Sequence, residues 1–195
     1  MPASRAEVPA ARERILDAAA AIMRRDGLVR ATTKEIAHEA GCSEALLYKH
    51  FPDKRDIFLR VLTERSPRLG VASELPGTGT VAGNLETLVG SLLEFYEQSF
   101  PIAASIFSSS DLLRAHREAM TERGVGPHAP SRILAEYLGE EVRRNRLSAM
   151  DSDAVARLLT GAALHEAFIA TYSGERIGDA SQLARRFVRA LGLDR

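Results

Sequence analysis

Helical spacing governs the pattern of apolar and polar positions along this chain. Ile15, Ala18, Ala19 and Ile22 stand at i, i+3, i+4 and i+7, one face of a helix. Proline suits a first helical position, so this helix is expected to start near Pro9. Arg24 and Arg25 complement the dipole of its last turn, and Gly27 is expected to close it in the left-handed conformation. Thr32 and Glu35 have capping-box spacing. They predict a second helix from Thr33, which carries Ile36, Ala37 and Ala40 on one face and stops at Gly41. Ser43 can cap a third helix, from Glu44 to His50 or Phe51. Pro52 ends it, and Asp53 caps a fourth with Ile57, Phe58, Val61 and Leu62 facing inward.

Residues 66–83, "SPRLGVASELPGTGTVAG", are rich in Gly, Pro, Ser and Thr and predict a loop or frayed connector. Beyond them Leu85, Leu88, Val89, Leu92, Leu93 and Tyr96 form a wide apolar stripe on a long helix. Pro101, and then Gly124 to Pro130, are expected to punctuate shorter helices. Further helices are predicted from about Ser131 to Asn145, from about Ser152 to Tyr172, and from an Asp179–Gln182 cap to near Leu191. No segment has the alternation of a strand. The pattern predicts an all-α chain of roughly nine helices. It divides into an arm over residues 1–8, a helix-turn-helix domain over 9–52, and a helical ligand-binding and dimerisation domain over 53–195.

Charge sharpens the view of one stretch. The 195 residues carry 26 basic and 26 acidic side chains, so formal net charge is zero and strongly polyanion-binding composition is absent. Residues 1–60 hold eleven Lys/Arg against nine Asp/Glu, a bias of the right sign for a nucleic-acid module but too small to argue from. The distribution of lysine says more. Among 23 arginines there are three lysines, Lys34, Lys49 and Lys54, all inside "ATTKEIAHEAGCSEALLYKHFPDK", residues 31–54.

Two short helices joined through Gly41-Cys42-Ser43 make a helix-turn-helix, whose turn needs a positive φ at Gly41. The second helix is too short to stand alone, so Leu47 and Phe51 are expected to dock on the first helix of the chain. At 100° per residue Ala45 and Lys49 then point outward, flanked by Leu46 and Tyr48. A small residue, a phenol and a lysine on one exposed face suit a major groove. Lys34, Lys49, His50 and Lys54 fall along one surface within reach of phosphates, and Thr33 with the free N–H groups around it offers a further phosphate contact.

This stretch resembles the TetR family of bacterial transcriptional regulators. The family's pattern is met at Thr32, Thr33, Ile36, Ala37, Ala40, Gly41, Ser43, Leu47, Tyr48, His50, Phe51 and Lys54, within residues 10–60. The resemblance implies that Lys34 and Glu44 sit where family members often read bases. It implies that Ala45 and Leu46 lie against the groove floor, and that Thr33, Tyr48, Lys49, His50 and Lys54 contact the backbone. Cys42 stands where valine is usual and is expected to fill the same small apolar slot. Leu46 stands where a small hydroxyl residue is frequent. It cannot bond a phosphate, but it can touch a thymine methyl or pack at the helix edge.

The resemblance further implies a C-terminal ligand pocket and a dimer interface. Specific reading of DNA by so short a helix needs two copies about 34–36 Å apart on a palindrome. Small residues that let helices approach, Gly161, Ala162, Ala163 and Ala167, and apolar residues of the last helix, Leu183, Phe187, Val188 and Leu191, are the interface candidates. Aromatic and polar-tipped residues on apolar helices, Leu92, Tyr96, Phe100, Phe107, His116, Tyr137, His165, Phe168 and Tyr172, are the pocket candidates. The expected function is a ligand-responsive regulator, a repressor that binds its operator as a homodimer. A small, largely apolar effector is expected to release it by shifting the fourth helix and with it the spacing of the recognition helices.

Other classes are less well served. Glu35-x-x-His38 has the spacing of di-iron helix bundles, but a second such motif is missing and Glu35 is better used as a cap. No phosphate loop, nucleophile elbow or HExxH occurs, so no enzyme, cofactor or metal is expected. A helical adaptor that has lost DNA binding is the other rival, separable by gel shift. One cysteine fits a reducing cytoplasm, and neither a membrane span nor a secretion signal is expected.

Overall fold

The computed structural model describes residues 10–65, 72–122, 124 and 126–192. The arm over 1–8, Pro9 and the first part of the 66–83 connector lie outside the described residues. Nine α-helices occur among those described, with no strand: α1 (Ala11–Arg30), α2 (Thr33–Glu39), α3 (Glu44–His50), α4 (Lys54–Glu64), α5 (Val81–Ile106), α6 (Ser110–Glu122), α7 (Ala129–Arg143), α8 (Ser152–Ser173) and α9 (Ala180–Ala190). A single 3₁₀ turn, Ala72–Glu74, precedes α5.

The capping residues behave as their chemistry requires. Asp53, Asp151 and Asp179 each accept the N–H three residues on, from Asp56, Ala154 and Gln182, and so start α4, α8 and α9. One glycine and one proline behave differently from expectation. Gly27 interrupts α1 with φ 77° and ψ 169°, so it breaks the helix with a positive φ but outside the left-handed helical region. Pro101 lies inside α5 and does not end it. A proline removes one backbone bond, and the helix continues where packing on both sides holds it: Ile102 and Ile106 beyond the proline are 5% and 4% exposed.

The chain divides into two compact units. The first is residues up to 66 with 101–119, and the second is 67–100 with 120–195. The first therefore includes α4 and the segment after Pro101, beyond the 9–52 span expected for the reading domain. Its core joins Ile15, Leu16, Ala19, Ile22 and Met23 of α1 to Ile36 of α2, Leu47 and Phe51 of α3, and Ile57, Phe58 and Val61 of α4. Charged pairs brace the rim of this core. Arg12 makes a two-pronged bond to Glu64 at 2.9 Å for each prong, and Arg65 bonds Asp17 at 2.7 Å and also Glu13.

The second unit packs Leu85, Leu88, Val89, Leu92 and Leu93 of α5 against Leu134, Tyr137 and Leu138 of α7, Ala156, Leu159 and Ala163 of α8, and Ala184 and Val188 of α9. One carboxylate, Glu141, is fully buried there. It accepts the N–H of Gly77 at 3.2 Å and lies 3.5 Å from Arg146. Arg146 in turn donates to the carbonyls of Thr78 and Gly79, and Asn84 donates to those of Leu75 and Thr78. The described part of the connector is thus a turn tied down by polar contacts.

Candidate nucleic-acid interface

The surface starts with how α2 and α3 are held. The Thr32 hydroxyl accepts the N–H of Glu35, and the Glu35 carboxylate accepts the N–H of Thr32. These reciprocal bonds hold the Glu35 carboxyl below the usual carboxylate range, the backbone bond from Thr32 being the largest cause. Glu35 is therefore occupied as a cap, and among the described residues no group of His, Cys, Asp and Glu is arranged to hold a metal ion.

Gly41 turns the chain with φ 65°. A methyl group at that position would meet nothing within 4 Å, so the requirement is on the backbone dihedral and not on space. The Cys42 N–H bonds the Ala37 carbonyl at 2.9 Å, and Cys42 itself is half-buried against the core. The Ser43 hydroxyl then accepts the N–H of Leu46 and opens α3.

Seven residues of helix are fixed by what they bury. Leu47 is 0% and Phe51 1% exposed, with the Arg12 guanidinium 5.7 Å above the Phe51 ring. Burying two such side chains contributes roughly 1.5–3 kcal/mol each, far more than helix propensity could give so short a segment. The opposite side of α3 is left to solvent. Glu44, Ala45, Tyr48, Lys49 and His50 are exposed, Tyr48 by 48%, and Leu46 is half-buried. Lys34 is exposed on α2 and Thr33 half-buried beside it. Lys54 is half-buried, its ammonium 5.0 Å from the Phe58 ring centre. All nine residues expected at the DNA surface thus belong to the first unit and keep their side chains at least partly open to solvent.

Three of them are linked. The Tyr48 hydroxyl donates to Thr33 Oγ1 at 3.4 Å, and Thr33 Oγ1 donates to Glu44 Oε2 at 3.3 Å. The bonds are long, so the groups are oriented but easily released to another partner.

Of the pocket candidates, Phe107 and His116 belong to the first unit and the other seven to the second. Phe107 is 76% exposed. His116 has a buried Nδ1 with no hydrogen-bond partner, and burial lowers its pKa from the ordinary value. Leu92 and Tyr137 are fully enclosed in the second core, and Tyr96 is half-buried. Burial pushes both phenols up to about 12. Phe100 meets Phe168 edge-on at 6.2 Å, and Phe168 stacks on Tyr172 at 6.2 Å, but Phe168 is 47% and Tyr172 82% exposed and His165 is exposed as well. Two depressions of the second unit are lined by other residues. One of about 620 Å³ is lined by the α7–α8 turn from Val142 to Met150 with Gly192, and one of about 250 Å³ by Leu93, Glu97 and Arg176 with their neighbours.

The interface candidates are likewise re-sorted. Ala163, Ala167 and Val188 are buried in the chain's own packing, and Leu183, Phe187 and Leu191 lie half-buried against the same core. Gly161 is exposed and Ala162 half-buried. The face of α8 that remains open carries Leu158, Gly161, His165, Phe168 and Tyr172, with Leu164 and Ile169 beside them. Their 3-4-3-4 spacing is the mark of a helix seam, and it is present in the sequence alone.

The chain can now be set beside known proteins. Residues 15–61 match the family described as bacterial regulatory proteins, tetR family. YvkB of Bacillus subtilis (strain 168), an uncharacterised HTH-type transcriptional regulator, is 29% identical over 126 residues, 65% of each chain. The match thus spans just under two thirds of that relative. Among solved structures, a protein of Mesorhizobium loti assigned to the TetR-family transcriptional regulators has a TM-score of 0.73 at 22% identity, covering 92% of this chain and 94% of that one. The fatty acid degradation regulator FadR of Bacillus halodurans has a TM-score of 0.69 at 17% identity, with 95% and 96% covered. At these identities the structural likeness is one of fold.

Proposed function

The chain belongs to the tetR family of bacterial regulatory proteins, and from that premise we propose that it is a transcriptional repressor, not an enzyme, which grips a two-fold symmetric operator as a homodimer. The observation that carries this reading is the division of α3: Leu47 and Phe51 inward, Ala45, Tyr48, Lys49 and His50 outward. An outward face of that composition, flanked by lysines, supports the reading, because lysine and a phenol beside an exposed helix suit contacts to phosphates on either side of a major groove. Gel shift on the region upstream of its own gene tests it. Binding should weaken steeply with salt, and Lys49→Ala should reduce the salt slope by about one. Salt-independent binding, or none, would remove the reading in favour of an adaptor.

Pairing of two chains is supported by the open seam of α8. An apolar stripe of Leu158, Phe168, Ile169 and Tyr172 on a surface helix is costly to leave in water. Two such stripes packed together make half of a four-helix bundle, with α9 beside each. The small residues first expected there, Ala163 and Ala167, instead let α8 approach its own core.

Release by a small apolar effector completes the proposal. Its support is the half-buried aromatic group of Phe95, Tyr96 and Phe100 on α5. The second core is filled around Leu92 and Tyr137, so an effector must open it and bind the opened form better. A thermal-shift screen of acyl and aromatic compounds should find ligands that raise the melting temperature with concentration.

A further inference from the structure

His165 stands at the midpoint of the open α8 seam, and the residues on its two sides differ in size. One turn before it are Gly161 and Ala162, and one turn after it are Phe168 and Ile169. Two turns before it is Leu158, and two turns after it is Tyr172. All six share its side of the helix. Two antiparallel copies can use that order. About a two-fold axis at His165, residues equally far before and after it meet. Phe168 and Ile169 of each copy then fill the space over Gly161 and Ala162 of the other, and Leu158 meets Tyr172. Charge agrees with this register. Arg157 and Glu175 are exposed and form no ion pair among the described residues. The register brings Arg157 of each copy to the same flank as Glu175 of the other, just beyond the Gly174 cap.

Among the described residues His165 is exposed and has no hydrogen bond or ion pair. On α8 its neighbour Glu166 is half-buried and lies about 100° round the helix. The elements packed with α8 bring charges that are engaged or exposed elsewhere. On α5 Glu94 is exposed and Glu97 is bonded to Arg176 and the Ile177 N–H. On α7 Arg132 pairs with Glu136, and Glu140 with Arg143 and Arg144. On α9 Arg185, Arg186 and Arg189 are exposed, on the side away from the buried Ala184 and Val188.

Resting on the reading of the chain as a homodimer, we infer that the two-fold axis passes His165, and that proton uptake by the two facing imidazoles drives the copies apart. Neutral, each ring is a flat filler that can share a hydrogen bond with its twin. Protonated, two cations meet among Leu158, Phe168 and Ile169, where desolvation and like charge both oppose them. Pairing therefore belongs to the deprotonated state and weakens as pH falls.

Sedimentation of the full-length protein without DNA tests the switch. The monomer–dimer Kd should rise on the order of tenfold between about pH 7.5 and about pH 5.5. His165→Leu and His165→Gln should pair at both, with Kd changing less than about twofold. Cross-linking tests the register. In a Cys42→Ser background under mild oxidation, His165→Cys should form a disulfide-linked dimer, because positions on the axis lie within bonding reach of their twins. Leu158→Cys and Tyr172→Cys should each stay unlinked alone and join when mixed. A wild type that pairs as tightly or more tightly at the lower pH would overturn the switch. A dimer that does not cross-link in this pattern would overturn the register, and either result leaves the regulator reading standing. A chain that is monomeric throughout would overturn the homodimer reading as well.

Discussion

Neighbouring residues of α3 have opposite fates, and this sets the first predictions. Tyr48 is half open to water and Leu47 fully enclosed. Tyr48→Ala should weaken operator binding while stability changes by less than about 0.5 kcal/mol in urea unfolding. Leu47→Ala should cost about 2–5 kcal/mol by leaving a cavity in the core that α3 shares with α1 and α2, and DNA binding should go with it. Glu141 is a second residue whose weight was invisible in the sequence. It lies in "YLGEEVRRNR", where one glutamate pairs with Arg143 and Arg144 at the surface and the next is wholly buried. Nothing in the run of letters separates Glu140 from Glu141; the difference is which of them meets the Gly77 amide. Glu141→Ala should destabilise the chain by about 2–3 kcal/mol, read by the same denaturation, because the Gly77 N–H is left without an acceptor and Arg146 without its countercharge.

Elements were legible where short-range chemistry decides them. The caps at Thr32, Ser43, Asp53 and Asp179 could be read directly, since each is a hydrogen bond over three residues. Ser43→Ala should therefore cost about 1 kcal/mol and fray α3, seen as faster amide exchange at Leu46 and Leu47. Pro101 was misjudged because the continuation of α5 depends on Ile102 and Ile106 finding a core, which no local rule contains. The bracing of α1 by α4 was equally hidden, joining positions some fifty residues apart. It has a pH signature. The carboxyl of Glu64 is lowered chiefly by its bond from Arg12 and that of Glu13 chiefly by its bond from Arg65, both from 4.5. Carboxyls depressed in the fold contribute stability that is fully present above their unfolded value and is lost as pH falls from there through the lowered value of the folded state. The melting temperature should thus drop as pH falls below 4.5, and Glu64→Gln should flatten the drop.

At the scale of the whole molecule the all-helical fold class was open to sequence reasoning, whereas which side of each helix stays open to solvent was not. Periodicity tells which side of a helix is apolar, but α8 carries small or apolar residues on more than one side, and only packing reveals that Ala163 turns inward while Phe168 and Tyr172 turn out. Phe168→Asp should convert dimers to monomers in sedimentation, and a variant that stays dimeric would move the self-association surface elsewhere. The crowding of lysine into residues 34–54 also bears on how the molecule is handled. Side-chain amines occur at residues 34, 49 and 54 and nowhere else in the 195 residues. Tethering the protein to a sensor chip through activated esters would fasten it by the face proposed to meet DNA and mask the binding sought. An anchor at the other end leaves that face clear, and loss of dye labelling at Lys34 and Lys49 on adding duplex becomes a direct footprint of the bound state.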